Sequence, residues 1–187
     1  MPQCCQTDGK LWVSKNFVDS RVLADGPIRV MFELVYEPFE VNGAKVSEIK
    51  RITLDAGSNL DHFQSFFKPE SVNAPLVSAI GLKKVAGERK QFDAQLGCVV
   101  SWEKVEKNQG MQGVAVVVEP RLIQQEIEDK LDHLLLMKVG ADNAISYWAG
   151  FVWDKSGQCK DESQWRKYVA EFAQSLQSPI EVKISSD

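Results

Sequence analysis

The only imidazoles in the chain are His62 and His133, and both stand in the same tripeptide, Leu-Asp-His. Histidine is the side chain whose ordinary pKa lets it take and return a proton near neutral pH, so these two are the natural proton shuttles. Neighbouring side chains in a strand point to opposite faces, so Asp61 and Asp132 cannot form a local couple with the histidine that follows each. Acid–base chemistry on a sugar needs a proton donor and a base on either side of the reacting carbon. The candidate catalytic set is therefore His133, His62 and a carboxylate, with Glu33 first and Glu37 and Glu119 behind it. Each residue also has a plainer role available. A lone histidine is more often a hydrogen-bonded structural group, and a mid-strand glutamate is more often the wet face of an antiparallel sheet.

The stretch from Tyr147 to Trp153, YWAGFVW, is the densest aromatic run. Its β-branched and aromatic content predicts a strand. Alternation then puts Tyr147, Phe151 and Trp153 on one face and Trp148 on the other. Flat rings stack on the C–H faces of pyranoses, so Tyr147 and Trp153 are candidate sugar platforms. Lys155, Tyr36 and Arg29 are candidate partners for hydroxyls or a uronate. The same strand equally suits the core beneath a helix. Gly150 leaves a bare spot where another backbone or a ligand can approach closely.

Those residues need elements to hold them. The run Arg29 to Val35 alternates, and Asp25-Gly26-Pro27 before it reads as a hairpin turn with glycine at positive φ. Pro38 is expected to end that strand. Further strands are expected at Val46–Ala56, Leu60–Phe67, Leu76–Leu82, Cys98–Trp102, Gly113–Val118, His133–Val139 and Ile180–Ile184. Lys83–Lys90 reads as a basic, polar stretch, and Leu122–Leu131 as a short helix or loop. Asp161 is a good N-cap for a helix over 161–177, whose Trp165, Tyr168, Val169, Phe172, Ala173 and Leu176 make one apolar stripe. Nine or ten short strands with one C-terminal helix predict a mainly β fold, an antiparallel β-sandwich occupying 1–187 as a single domain, with 1–10 as a polar lead-in.

The totals exclude several classes. The chain has 187 residues, 44% of them apolar, enough for one domain with a real core. Its net charge of −4 with interleaved signs offers no stripe for phosphate backbones, so no nucleic-acid partner is expected. No apolar run is long enough to span a bilayer, and no membrane partner is expected. Four cysteines at positions 4, 5, 98 and 159 match neither a zinc cage nor a dense disulfide framework; a Cys98–Cys159 bridge is conceivable, with unpaired thiols the plainer reading. Neither a metal nor another cofactor is expected, and a P-loop, a dinucleotide fingerprint and a serine nucleophile elbow are absent. Met1-Pro2-Gln3-Cys4-Cys5 lacks a signal-peptide pattern. The compartment stays unassigned: periplasmic or secreted for a piece of a longer chain, cytoplasmic otherwise.

The succession of Ala24-Asp25-Gly26-Pro27-Ile28-Arg29-Val30, Ile52-Thr53-Leu54-Asp55-Ala56-Gly57-Ser58, Ala79-Ile80-Gly81-Leu82-Lys83-Lys84 and Tyr147 to Gly157, followed by a Trp-bearing helix, resembles an uncharacterised bacterial domain family. That family is often encoded beside polysaccharide-degrading enzymes and is related in fold to the galactose mutarotase-like β-supersandwich. The similarity covers roughly residues 18–184. It implies a sandwich whose concave sheet handles an oligo- or polysaccharide, as in mutarotases, polysaccharide lyases and some glycoside hydrolases. Members resembling this chain are usually longer at the N-terminal side. A shortened supersandwich leaves a sheet edge for another copy to cover, so a homodimer is expected. Three functions follow: a carbohydrate-active lyase, hydrolase or isomerase, a non-catalytic carbohydrate-binding module, and a structural or assembly domain.

Overall fold

The computed structural model describes residues 3–5, 10–70 and 76–180. In chain order the strands are β1 (Gln3–Cys5), β2 (Leu11–Val13), β3 (Phe17–Asp25), β4 (Arg29–Val41), β5 (Ala44–Asp55), β6 (Leu60–Pro69) and β7 (Val77–Lys83). They continue as β8 (Arg89–Asp93), β9 (Cys98–Lys104), β10 (Met111–Val118), β11 (Ile123–Glu128), β12 (Asp132–Lys138) and β13 (Ala144–Trp153), before the helix α1 (Glu162–Gln177). An eight-stranded sheet runs in the order β3-β4-β5-β6-β13-β10-β9-β8, and a five-stranded one in the order β11-β12-β7-β1-β2. Their strand pairings are antiparallel, the mainly β sandwich with one C-terminal helix that the alternation predicts.

Two apolar layers follow from the period of two. Val46, Phe67, Val99, Val116 and Tyr147 of the large sheet meet Ile80, Leu82, Leu135 and Met137 of the small sheet. We call this the inner face of the large sheet. On its outer face Leu60, Val100, Ala115, Val117 and Val152 pack against Trp165, Val169 and Ala173 of α1. Asp161 caps the helix as its spacing predicts, its side chain accepting from the Gln164 amide at 2.9 Å. The Trp165 indole is wholly buried, donates through Nε1 to the Val114 carbonyl at 3.3 Å, and lies over Gly113.

Several expectations are corrected. Pro38 does not end β4, because the strand takes up a bulge between Tyr36 and Phe39 where no ladder amide is required, and continues to Val41. Gly26 is not at positive φ, whereas Asn42 and Gly43 in the turn between β4 and β5 are, with φ of 51° and 78°. The segment after Leu122 is strand β11 rather than helix, pairing with β12 through Leu134–Met137. Arg89 and Lys90 begin edge strand β8, because alternate residues find β9 as a partner. Within the lead-in, Gln3–Cys5 forms a strand between β2 and β7. Thirteen strands replace nine or ten among the described residues. The expected strand at Ile180–Ile184 falls outside the described residues except for Ile180. Cys98 and Cys159 are buried free thiols; burial pushes the Cys98 thiol up to about 11, which keeps it protonated and inert. No helix among the described residues is long and apolar enough to cross a membrane.

Gly113 tests how tightly α1 is seated. A Cβ there would stand 2.3 Å from the Trp165 ring, so Gly113→Ala forces the helix off the sheet. The expected loss is about 1–3 kcal/mol of unfolding free energy by chemical denaturation, with a changed tryptophan near-ultraviolet spectrum.

Candidate functional site

Over β6, β13 and β10, beside the Gly81-Leu82 end of β7, the two sheets leave open a trough of about 500 Å³ whose lining includes Asp61, Phe63, Leu82, Gln112, Val114 and Phe151. Register explains why these residues share it. Phe151 pairs with Val114, Trp153 with Gln112, and Ala149 with Asp61, so alternate positions on three adjacent strands face one space. Phe151 is 63% exposed and Trp153 is 40% exposed, which is unusual for rings on a sheet that is otherwise core. Trp153 is held rather than loose: its Nε1 donates to the Gln109 carbonyl at 3.0 Å, and the Lys155 ammonium lies 5.6 Å from its ring centre.

Polar groups converge on the same end. Gln112 donates from Nε2 to Glu103 Oε1 at 2.6 Å, while the other oxygen of Glu103, itself 4% exposed, has no hydrogen-bond partner. Asp61 is half-buried among apolar neighbours, and that desolvation raises its carboxyl pKa. Asp61, Gln112 and Glu103 were not singled out from the sequence. The signal was present in one case: Asp61 stands two residues before Phe63 and so shares its face. Pairing Gln112 with Trp153 required the register.

His133 also faces inward, from β12, beside Leu82 of the trough wall. Its Nδ1 is 2.9 Å from Glu128 Oε1 and its Nε2 is 2.7 Å from Glu88 Oε1, so neither ring nitrogen is open to a substrate. The network extends from there. Ser101 Oγ donates to Glu88 Oε2 at 3.2 Å, Lys90 holds both Glu126 and Glu128, and Lys84 holds Glu128 at 3.0 Å. Lys90 and then Lys84 pull the Glu128 carboxyl down to about 2. His133 is thus a buried clamp between the two sheets, tying β12 to the segment before β8.

The other nominated residues lie elsewhere. His62 is on the outer face, stacked on Trp148 at 4.5 Å with rings 11° from parallel, its Nε2 2.5 Å from Ser146 Oγ. Glu33, also on the outer face, accepts from Arg51 at 2.7 Å. Arg29 makes a two-pronged pair with Asp55 at 2.6 and 2.8 Å. Tyr36 and Tyr147 are buried on the inner face beside Glu48 and Lys50, under the small sheet. Burial raises Glu48, offset in part by Lys50 3.7 Å away, and burial also raises Tyr147. The structure therefore sets Trp153, with Lys155 over its ring, next to Gln112 of the trough lining and His133 opposite Leu82 of the trough wall, while His62, Glu33 and Arg29 lie elsewhere. Among the described residues no group of three or more His, Cys, Asp or Glu side chains is placed to hold a metal ion.

His62 supplies a pH signature. Burial, and then Arg29, lower its pKa below the ordinary 6.5, with Asp55 opposing. The unfolded chain takes up this proton near 6.5 while the folded one does not. Its contribution is therefore full above 6.5 and is lost as pH falls through the window below it. Denaturation midpoints measured from pH 7.5 to 5 should fall for the wild type and fall less for His62→Gln; equal slopes would contradict this assignment.

A family model described as a domain of unknown function, DUF4861, matches residues 4–182. A relative in Formosa agariphila, described as uncharacterized protein P7, is 31% identical over 185 residues, which is 96% of this chain and 45% of that protein. The chain thus spans about half the length of the curated relative it matches. No solved structure matches.

Proposed function

We propose that this chain, which belongs to the DUF4861 family of domains of unknown function, is a carbohydrate-recognising domain of a polysaccharide-processing protein, with its saccharide in the trough between the sheets. The observation that carries this reading is the pair of open rings, Phe151 and Trp153, beside the polar groups of Asp61 and Gln112. Aromatic faces supply apolar contact to a pyranose, and the carboxyl and amide supply directional hydrogen bonds to its hydroxyls. Two unequal antiparallel layers with an open inner face support a relationship to the galactose mutarotase-like supersandwich. That relationship in turn supports a place among polysaccharide-utilisation proteins.

A catalytic reading is favoured by one further observation. Asp61 is a carboxyl whose raised pKa, set by burial in the trough, suits a general acid. In this reading Asp61 takes the acid role first assigned to His133, whose nitrogens are engaged by Glu88 and Glu128. A hydrolase or isomerase needs such a proton donor, and a lyase needs one at its leaving-group oxygen once a base has taken the proton beside the uronate carboxyl.

Calorimetry against a panel of plant and algal oligosaccharides tests both readings. Trp153→Ala and Phe151→Ala should each weaken binding about 10-fold or more with little change in stability, since both rings are exposed. Asp61→Asn should keep binding and abolish any turnover. A panel on which the wild type neither binds nor turns over any glycan would count against the whole proposal.

The homodimer proposal has a surface in β3. It is an edge strand with Phe17, Val18, Val22 and Leu23 exposed. An antiparallel copy about a two-fold at Ser20 puts Asp19 of one chain opposite Arg21 of the other, and Val18 opposite Val22. Sedimentation should give a dimer that Val22→Lys dissociates; a monomeric wild type refutes it.

A further inference from the structure

On the opposite side of the large sheet, under the last turns of α1, lies a cavity of about 270 Å³ that the sugar reading does not use. Its walls include Leu96, Pro120, Leu122, Trp148, Ala173 and Leu176, with Ser146 and Arg121 among its polar groups. The Ser146 hydroxyl is the one that His62 Nε2 meets at 2.5 Å. We propose that Ser146 and His62 form a nucleophile and base pair that cleaves esters of short-chain acyl groups bound in this cavity.

Three observations carry the proposal. The nucleophile and base are within hydrogen-bond reach, from adjacent strands β13 and β6 whose ladder fixes their separation. The imidazole is oriented by a stacked indole, Trp148, which is also a wall of the cavity, so the base and the bound acyl group share one rigid element. The walls beside the hydroxyl are mostly apolar, which suits an acyl chain, and the rim carries Arg121, largely exposed and paired with Glu119 at 3.4 Å. Burial keeps His62 neutral, the form a base requires.

The step balances without a co-reactant other than water. Ser146 Oγ bonds to the ester carbonyl carbon while its proton passes to His62 Nε2. The ester C–O bond breaks, and the alcohol leaves with that proton. Water then attacks the acyl-serine with His62 again as base, releasing the carboxylic acid and restoring the hydroxyl.

A fluorophosphonate probe tests this without a known substrate, because the serine oxygen displaces fluoride and keeps a stable phosphonyl group. Wild-type protein incubated with the probe and mapped by tandem mass spectrometry should carry the label on Ser146. Ser146→Ala, nearly isosteric, should carry none, and His62→Gln should label about 100-fold more slowly. Hydrolysis of p-nitrophenyl acetate should follow the same order. Folded wild type that stays unlabelled, labels only at other serines, or labels equally fast in His62→Gln overturns the proposal. None of these outcomes depends on Phe151, Trp153 or Asp61, so failure here and failure of the sugar reading are separable.

Discussion

Five strands cannot cover eight, and much of the molecule's surface chemistry follows from that mismatch. The small sheet seals the middle of the large sheet's inner face, where Val99, Val116 and Tyr147 meet Leu135 and Met137. Over β6, β13 and β10, beside the Gly81-Leu82 end of β7, a trough stays open between the layers, and at the β3 edge of the large sheet four apolar side chains are exposed. Alternation compels side chains to point into that space whether or not a second layer is there. Open rings on an otherwise buried face are the result.

Where the small sheet does cover the large one, polar residues pay the consequence. Glu48 and Lys50 are 1% and 4% exposed, and neither carboxylate oxygen of Glu48 has a hydrogen-bond partner. The carboxyl responds with a raised pKa, because burial disfavours its charge more than Lys50 favours it. At the His133 end the same problem is solved differently. There Glu88 and Glu128 flank the imidazole while Lys84 and Lys90 hold Glu128, so opposite charges lie within hydrogen-bond reach and the two sheets are clamped together.

Among the described residues the outer face is covered by α1, whose fit is set by absent side chains. Gly113 admits the Trp165 indole, and Gly150 admits the Asn59 backbone, whose amide donates to the Tyr168 hydroxyl at 2.9 Å. The bare spot at Gly150 is thus filled by main chain rather than by a ligand. Because the helix is seated low on one half of the sheet, its C-terminal turns leave a cavity beside Trp148. The two faces of β13 therefore open onto different spaces: Phe151 onto the trough, Ser146 and Trp148 onto the cavity.

Local rules read from the residues alone were enough for the class of fold, the face assignments of β13 and the helix with its Asp161 cap, since each depends on period and on neighbours within four positions. Strands β8 and β11 escaped that reading because their charged residues look like loop until a partner strand supplies their hydrogen bonds. Pro38 misled for the same reason, as only the ladder shows that a bulge exempts its nitrogen. Whether His62 and His133 could cooperate was a question of which sheet and which face, and the topology answered it by placing them in different sheets, with the large sheet's main layer between them. Glu103 became the partner of Gln112, and Asp61 came to line the same trough as Gln112, only through the β6-β13-β10-β9 order. A chain's local pattern fixes the direction of each side chain relative to its own strand; the long-range pairing, driven by burial of the whole surface, fixes what it points at.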